Sequence, residues 1–251
     1  MTEKTTSRRE LFYVLGGLIA VGAGWQAYLG RSKELVFEPI KGLPEWRRVA
    51  FDSVTQPGGD ASAAVFLGIG EDGNHGEWPP DQLCSALYSD TPEAHDKLPV
   101  AVFSDVNCPN CRSLEAKLER RVEQLALNWI ELPLLGPTSV PAAKAALAAS
   151  LQPGGAAFRT QAMSRIRGGR IHPDVLAEAA QAGLDPDKLI ADFSGPEVAA
   201  LLSRNHAMAG TLGVWGTPAM TIGQTLVMGD VESDVLDQLI DIETARGSGG
   251  C

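Results

Sequence analysis

Two cysteines separated by two residues, Cys108-Pro109-Asn110-Cys111, stand where the hydrophobic pattern of this chain changes period. Residues 98–103, Leu-Pro-Val-Ala-Val-Phe, form a continuous apolar, β-branched run, the pattern of a strand buried on both faces. Beyond the pair, Leu114, Leu118, Val122 and Leu125 recur at helical spacing. A central strand therefore feeds a helix that opens at the cysteines, which is the first half of a β-α-β crossover. Few architectures place a Cys-x-x-Cys at such a junction.

The junction also dictates chemistry. The first amides of a helix have no partner inside it and point toward the residue that precedes it. Pro109 at the first helical position gives up no bond the helix needs, so the amides of Asn110 and Cys111 face the Cys108 sulfur. Helix dipole and direct amide bonds both favour a thiolate there. Cys108 is the expected nucleophile and Cys111 the resolving thiol, with Pro109 and Asn110 supporting the motif. The neutral Asn110 gives the thiolate less help than a cation would.

Other uses of the pair are less consistent with the sequence. A zinc site needs further ligands, but there is no second Cys-x-x-Cys, and His75, His95, His172 and His206 are dispersed. Cu(I) held between two thiolates is an alternative in the class of binding modules, although no Met-rich or His-rich tract accompanies it. No metal and no cofactor are expected. A formal charge of −10 argues against nucleic acid as a partner, because phosphate-tracking surfaces need clustered Lys and Arg.

Residues 1–30 read as an export signal or membrane anchor. Arg8 and Arg9 precede an apolar, Gly-rich run over residues 11–30. Ser7-Arg8-Arg9-Glu10-Leu11-Phe12 is similar to a twin-arginine signal with its Phe one place late, and the Sec route stays open. Either way the body is expected in the periplasm, free or tethered to the inner membrane, where thiols can be oxidised. Residues 31–96 form an N-terminal extension with strand-like runs at 48–51 and 63–67 and a short helix over 80–88 carrying Cys84.

After the first helix, residues 128–135 read as the next strand. Ser139 is the expected N-cap of an Ala-rich helix through residue 149, followed by helices near 156–166, 173–182, 187–193 and 196–212. Residues 219–222 and 225–228 form a hairpin around Gly223-Gln224. Val235, Leu236, Leu239 and Ile240 mark the inner face of a closing helix. Residues 246–251 read as a flexible tail. Cys84 and Cys251 are expected to be a buried free thiol and an exposed one, with a disulfide between them as the alternative.

Three segments carry a resemblance. Phe103-Ser104-Asp105-Val106-Asn107-Cys108-Pro109-Asn110-Cys111 resembles the F-x-D-x-x-C-P-x-C segment of DsbA-like thiol-disulfide oxidoreductases. Residues 131–136, Glu-Leu-Pro-Leu-Leu-Gly, with Ser139 and Ala142-Ala143, are similar to that family's second strand and first inserted helix. Gly213-Val214-Trp215-Gly216-Thr217-Pro218-Ala219 is similar to its G-V-x-G-T-P loop.

The resemblance implies an α/β, thioredoxin-like fold over 97–245, with an inserted α-helical domain at about 139–212 and the short N-terminal extension. It also implies a cis bond between Thr217 and Pro218 facing the cysteines, where the Thr217 backbone would bind substrate. The expected partners are exported proteins with thiols or disulfides, and a membrane or soluble redox partner that resets the active site. Oxidase, reductase and isomerase directions stay open. One departure is notable: many thioredoxin-fold enzymes carry a buried acid six residues before the first cysteine, where this chain has Val102. Asp105 and Glu131 are the acids near enough in sequence to take over its proton-accepting role, or to be structural.

Overall fold

The computed structural model describes residues 34–50, 77–88, 97–155, 158–159, 173–247 and 251. The expected apolar strand is β3 (Leu98–Ser104), and all but its first residue are buried. Its alternating side chains serve two layers. Val100 and Val102 pack with Leu114 and Leu118 of α2 (Pro109–Glu119) and with Val235, Leu236, Leu239 and Ile240 of the closing α7 (Ser233–Arg246). Ala101 and Phe103 face the opposite way, toward Leu83 and Leu87 of α1 (Leu83–Tyr88) and Met208 and Leu212 of α6 (Pro196–Leu212).

The remaining strands are β1 (Phe37–Ile40), β2 (Leu43–Val49), β4 (Leu125–Glu131), β5 (Ala219–Ile222) and β6 (Thr225–Met228). Together with β3 they form one sheet in the order β1-β2-β6-β5-β3-β4. β4 runs parallel to β3, whereas β5 is antiparallel to both β3 and β6. The crossover and the hairpin therefore lie on either side of β3, with helices on both faces of the sheet: a thioredoxin-like fold. Between β4 and β5 are α3 (Ser139–Ser150), α4 (Pro173–Gln181), α5 (Pro186–Phe193) and α6. They share their own core around Ala142, Ala145, Phe158, Val175, Leu189 and Val198, and so make up the inserted helical domain. The N-terminal extension contributes to the main sheet, since β1 pairs antiparallel with β2 and β2 pairs parallel with β6.

Several boundaries differ from the sequence reading. α2 ends at Glu119, and Val122 sits exposed in the turn that follows, so Leu125 is a strand residue opposite Leu98 and no part of the helix face. β4 consequently starts and ends earlier than expected. Its exit is drawn away from the sheet because the amides of Leu134 and Leu135 bond to the Asp105 carboxylate. Ser139 is the first residue of α3 and no cap: Thr138 precedes the helix, and the Ser139 hydroxyl instead accepts from the Asn107 side chain at 2.9 Å. The strand expected at 48–51 is β2, displaced toward the N-terminus by its pairing with β1 and β6.

The export segment at 1–30, the 63–67 run and most of the 156–166 helix lie outside the described residues, although Phe158 and Arg159 are helical. Among the described residues no helix is long and apolar enough to cross a membrane.

Candidate active site

β3 ends at Ser104, and a tight turn leads into α2, with the Cys108 amide donating to the Asp105 carbonyl at 2.9 Å. Cys108 is the N-cap residue, with extended backbone (φ −83°, ψ 114°), and Pro109 takes the first helical position. The geometry read from the sequence follows: the Cys111 amide donates to the Cys108 Sγ at 3.2 Å. From the other side the Cys108 thiol donates to the Thr217 carbonyl at 3.3 Å. The Thr217–Pro218 bond is cis. Ala219, next in the chain, pairs with Phe103 of β3 and so brings this loop to the cysteine end of the sheet. Cys108, Cys111 and Thr217 thus converge, Pro109 is exposed, and Asn110 is half-buried.

Both thiols are free, and both are buried: Cys108 is 3% and Cys111 1% exposed. Their acidities diverge nonetheless. The Cys111 thiol and the backbone amides of Cys111 and Asn110 all favour a Cys108 thiolate. Together they outweigh burial and lower Cys108 from 9.0 to about 7. Cys111 moves in the opposite direction, raised by burial first and then by the Cys108 sulfur beside it. One proton is held loosely and the other tightly, an arrangement suited to one attacking sulfur and one reserve sulfur.

The acids considered as proton acceptors are both buried; Asp105 is bonded through both oxygens, Glu131 through Oε1 while its Oε2 is buried without a partner among the described residues. Asp105 accepts from the Asn107 amide at 2.8 Å through Oδ1, and from the Leu134 and Leu135 amides at 2.7 and 2.8 Å through Oδ2. Glu131 is bonded by Arg159 Nε at 2.5 Å, and burial pushes its carboxyl up in spite of that guanidinium. Arg159 also reaches Glu115 at 3.2 Å, which in turn accepts from the Ser104 hydroxyl at 2.9 Å, and the guanidinium lies over the Trp129 ring, 4.5 Å from its centroid. Glu115 was recognisable by its place one helical turn after Cys111. Arg159 belongs to the inserted helices, and nothing local marks it as the partner of β4. Val102 is fully buried among apolar neighbours on β3.

Cys84 and Cys251 form a disulfide, which corrects the expectation of two free thiols. α7 runs on to Arg246, and Cys251 is held at α1 beside Leu98, Gly223 and Gln224. Leu98 is the first residue of β3, so this bridge sits at the end of the strand opposite Cys108.

Residues 99–241 match the DSBA-like thioredoxin domain family. A thioredoxin-like oxidoreductase from Silicibacter pomeroyi is similar in structure, with 34% identity and a TM-score of 0.54 over 64% of this chain and 96% of that one. A periplasmic thioredoxin-like protein from Salmonella enterica serovar Typhimurium aligns at 27% identity and TM-score 0.56 over 67% of this chain and 99% of its own. The catalytic domain of Proteus mirabilis ScsC aligns at 26% identity and TM-score 0.55, covering 66% and 98%. No curated protein sequence matches the chain. A match across more than half of the chain, on a fold with two thiols at a strand-to-helix junction, places this protein in the DSBA-like thioredoxin domain family of thiol-disulfide oxidoreductases.

Proposed function

We propose that Cys108 and Cys111 are the redox centre of an enzyme that exchanges disulfides with exported proteins outside the cytoplasm. The observation that carries this reading is the Cys108 sulfur at a helix start, 3.2 Å from the Cys111 amide and with its acidity raised to about 7. In the oxidising direction, a substrate thiolate attacks Sγ of Cys108 in the Cys108–Cys111 disulfide, and Cys111 leaves and takes up a proton. A second substrate thiolate then attacks the substrate sulfur of the mixed disulfide and expels Cys108. Two electrons pass to the enzyme, and the substrate gains a disulfide. A sulfur of low pKa is the better leaving group, which favours release of Cys108 in the second step. A membrane or soluble dithiol-disulfide partner then reoxidises the centre.

The main chain at Thr217 lies against Cys108 and offers an edge along which an extended substrate segment can pair, holding its sulfur in line. Leu135 and Val140, 49% and 37% exposed, add apolar surface near the active-site turn. Export fits the Arg-Arg-led apolar run of residues 11–30, and the Salmonella relative is a periplasmic protein.

Direction follows from the reduction potential of the Cys108–Cys111 pair, measured by equilibration with glutathione. A value near −120 mV marks a strong oxidase and one near −270 mV a reductase. A pair that does not equilibrate with glutathione would remove the redox reading altogether.

A further inference from the structure

We infer that Asp105 is the positioning residue of the dithiol centre: its carboxylate fixes the turn that sets Cys108 at the cap of α2. The inference rests on the proposed role of Cys108 and deepens it.

The carboxylate is 2% exposed, and both of its oxygens are engaged. Oδ1 accepts from the Asn107 amide at 2.8 Å, closing the turn just before Cys108. Oδ2 accepts from Leu134 and Leu135 at 2.7 and 2.8 Å, anchoring that turn to the segment that leaves β4. Its main chain holds the same turn, since the Asp105 carbonyl accepts from the Cys108 amide at 2.9 Å. The anchor is reinforced by Asn107, whose side chain donates to Thr138 and Ser139 at 2.9 Å each, where the inserted helices begin.

Three amides around one buried carboxylate satisfy it without a cation, and only an acceptor with two free oxygens can take all three. Asparagine has a single acceptor oxygen and would turn its NH₂ toward at least one amide donor. With the anchor broken, the turn is free to shift, and the Cys111 amide no longer holds its place 3.2 Å from Cys108. The carboxylate therefore acts on the sulfur through the backbone, without touching a reacting atom.

The test is the pH dependence of Cys108 alkylation in the reduced full chain. It is measured for the native protein, Asp105→Asn, Leu135→Pro, which deletes one of the three donors, and Tyr88→Phe as a control. Tyr88 donates to the Gly223 carbonyl at 2.6 Å at the far end of the sheet, so its loss reports destabilisation alone. Asp105→Asn should raise the midpoint by about one pH unit and slow alkylation at pH 6 about tenfold. Leu135→Pro should move it the same way by less, and Tyr88→Phe should leave it in place. A midpoint unmoved in both Asp105→Asn and Leu135→Pro overturns the inference, as does a failure of both to fold, which would make the carboxylate a determinant of the fold and not of the thiols. A native protein whose Cys108 alkylates with the free-cysteine midpoint of about 8.5 would instead remove the dithiol reading itself.

Discussion

The amide of Cys111 donates to the sulfur of Cys108 at 3.2 Å, so Cys111 supports the acidity of Cys108 through its backbone as well as its thiol. Side-chain substitution at position 111 leaves that amide in place, and the two contributions can be separated by mutation.

Cys108→Ser should reduce disulfide exchange to the uncatalysed background, whereas Cys111→Ser should keep the attacking sulfur and accumulate mixed disulfides with substrate. In the reducing direction the Cys108 thiolate attacks a substrate disulfide and the Cys111 sulfur then displaces the substrate from Cys108, so a chain without Cys111 stops at the mixed disulfide. Thiol-trapping gels on the two variants distinguish the roles, and equal trapping by both would reverse the order of the sulfurs.

The reduced protein should gain stability as pH rises from 7 to 9. Below about 7, Cys108 is protonated in both folded and unfolded states and contributes nothing. Between about 7 and 9.0 the folded thiol ionises while the unfolded one does not, so the contribution grows toward about 2 to 3 kcal/mol. Above pH 9 the raised Cys111 opposes any further gain, because it ionises only on unfolding. Guanidinium unfolding of the reduced native protein against Cys108→Ala at pH 6, 7, 8 and 9 measures the difference. A gap that does not widen with pH would contradict the acid Cys108.

Much of this was legible in the sequence where a pattern is local. The apolar run into β3, the helix spacing of Leu114 and Leu118, and the hairpin around Gly223-Gln224 each lie within a few residues, and each is found as read. The strand after α2 was misplaced because Val122 continues the helical spacing by coincidence, while the contact that ends β4 comes from Asp105 in the turn after β3. The site divides the same way. The amides facing Cys108 follow from the position of Pro109, but the saturation of Asp105 and the pairing of Glu131 with Arg159 depend on segments about thirty residues away, and no local spacing encodes them.

Cys251→Ser should cost stability but spare turnover. The Cys84–Cys251 bridge closes a loop with a sequence separation of 167 residues, and a closure of that length is worth about 2 to 5 kcal/mol, mainly by restricting the unfolded chain. It lies beside Leu98, at the end of β3 remote from Cys108. Denaturation midpoints and exchange rates measured on the same preparation separate the two effects. Turnover falling in step with stability at temperatures where the variant is fully folded would show that the bridge reaches the active site.

Arg159→Met should destabilise the protein by about 3 to 5 kcal/mol at pH 7, because it leaves Glu131 buried without its cation and Glu115 without a partner on the inserted helices. The deficit should shrink as the solution is acidified. Burial already raises the Glu131 carboxyl with the guanidinium present, and removing the guanidinium raises it further. An acid whose folded pKa lies above its unfolded value of about 4.3 penalises folding above that unfolded value, and the penalty is relieved as pH falls through the folded pKa. Urea unfolding of the variant and the native protein between pH 7 and 5 should therefore converge. Adding Glu131→Gln should recover a large part of the loss at pH 7 by removing the stranded charge. A deficit that is independent of pH and unaffected by Glu131→Gln would mean that Arg159 serves by packing on Trp129, with its ion pairs contributing little.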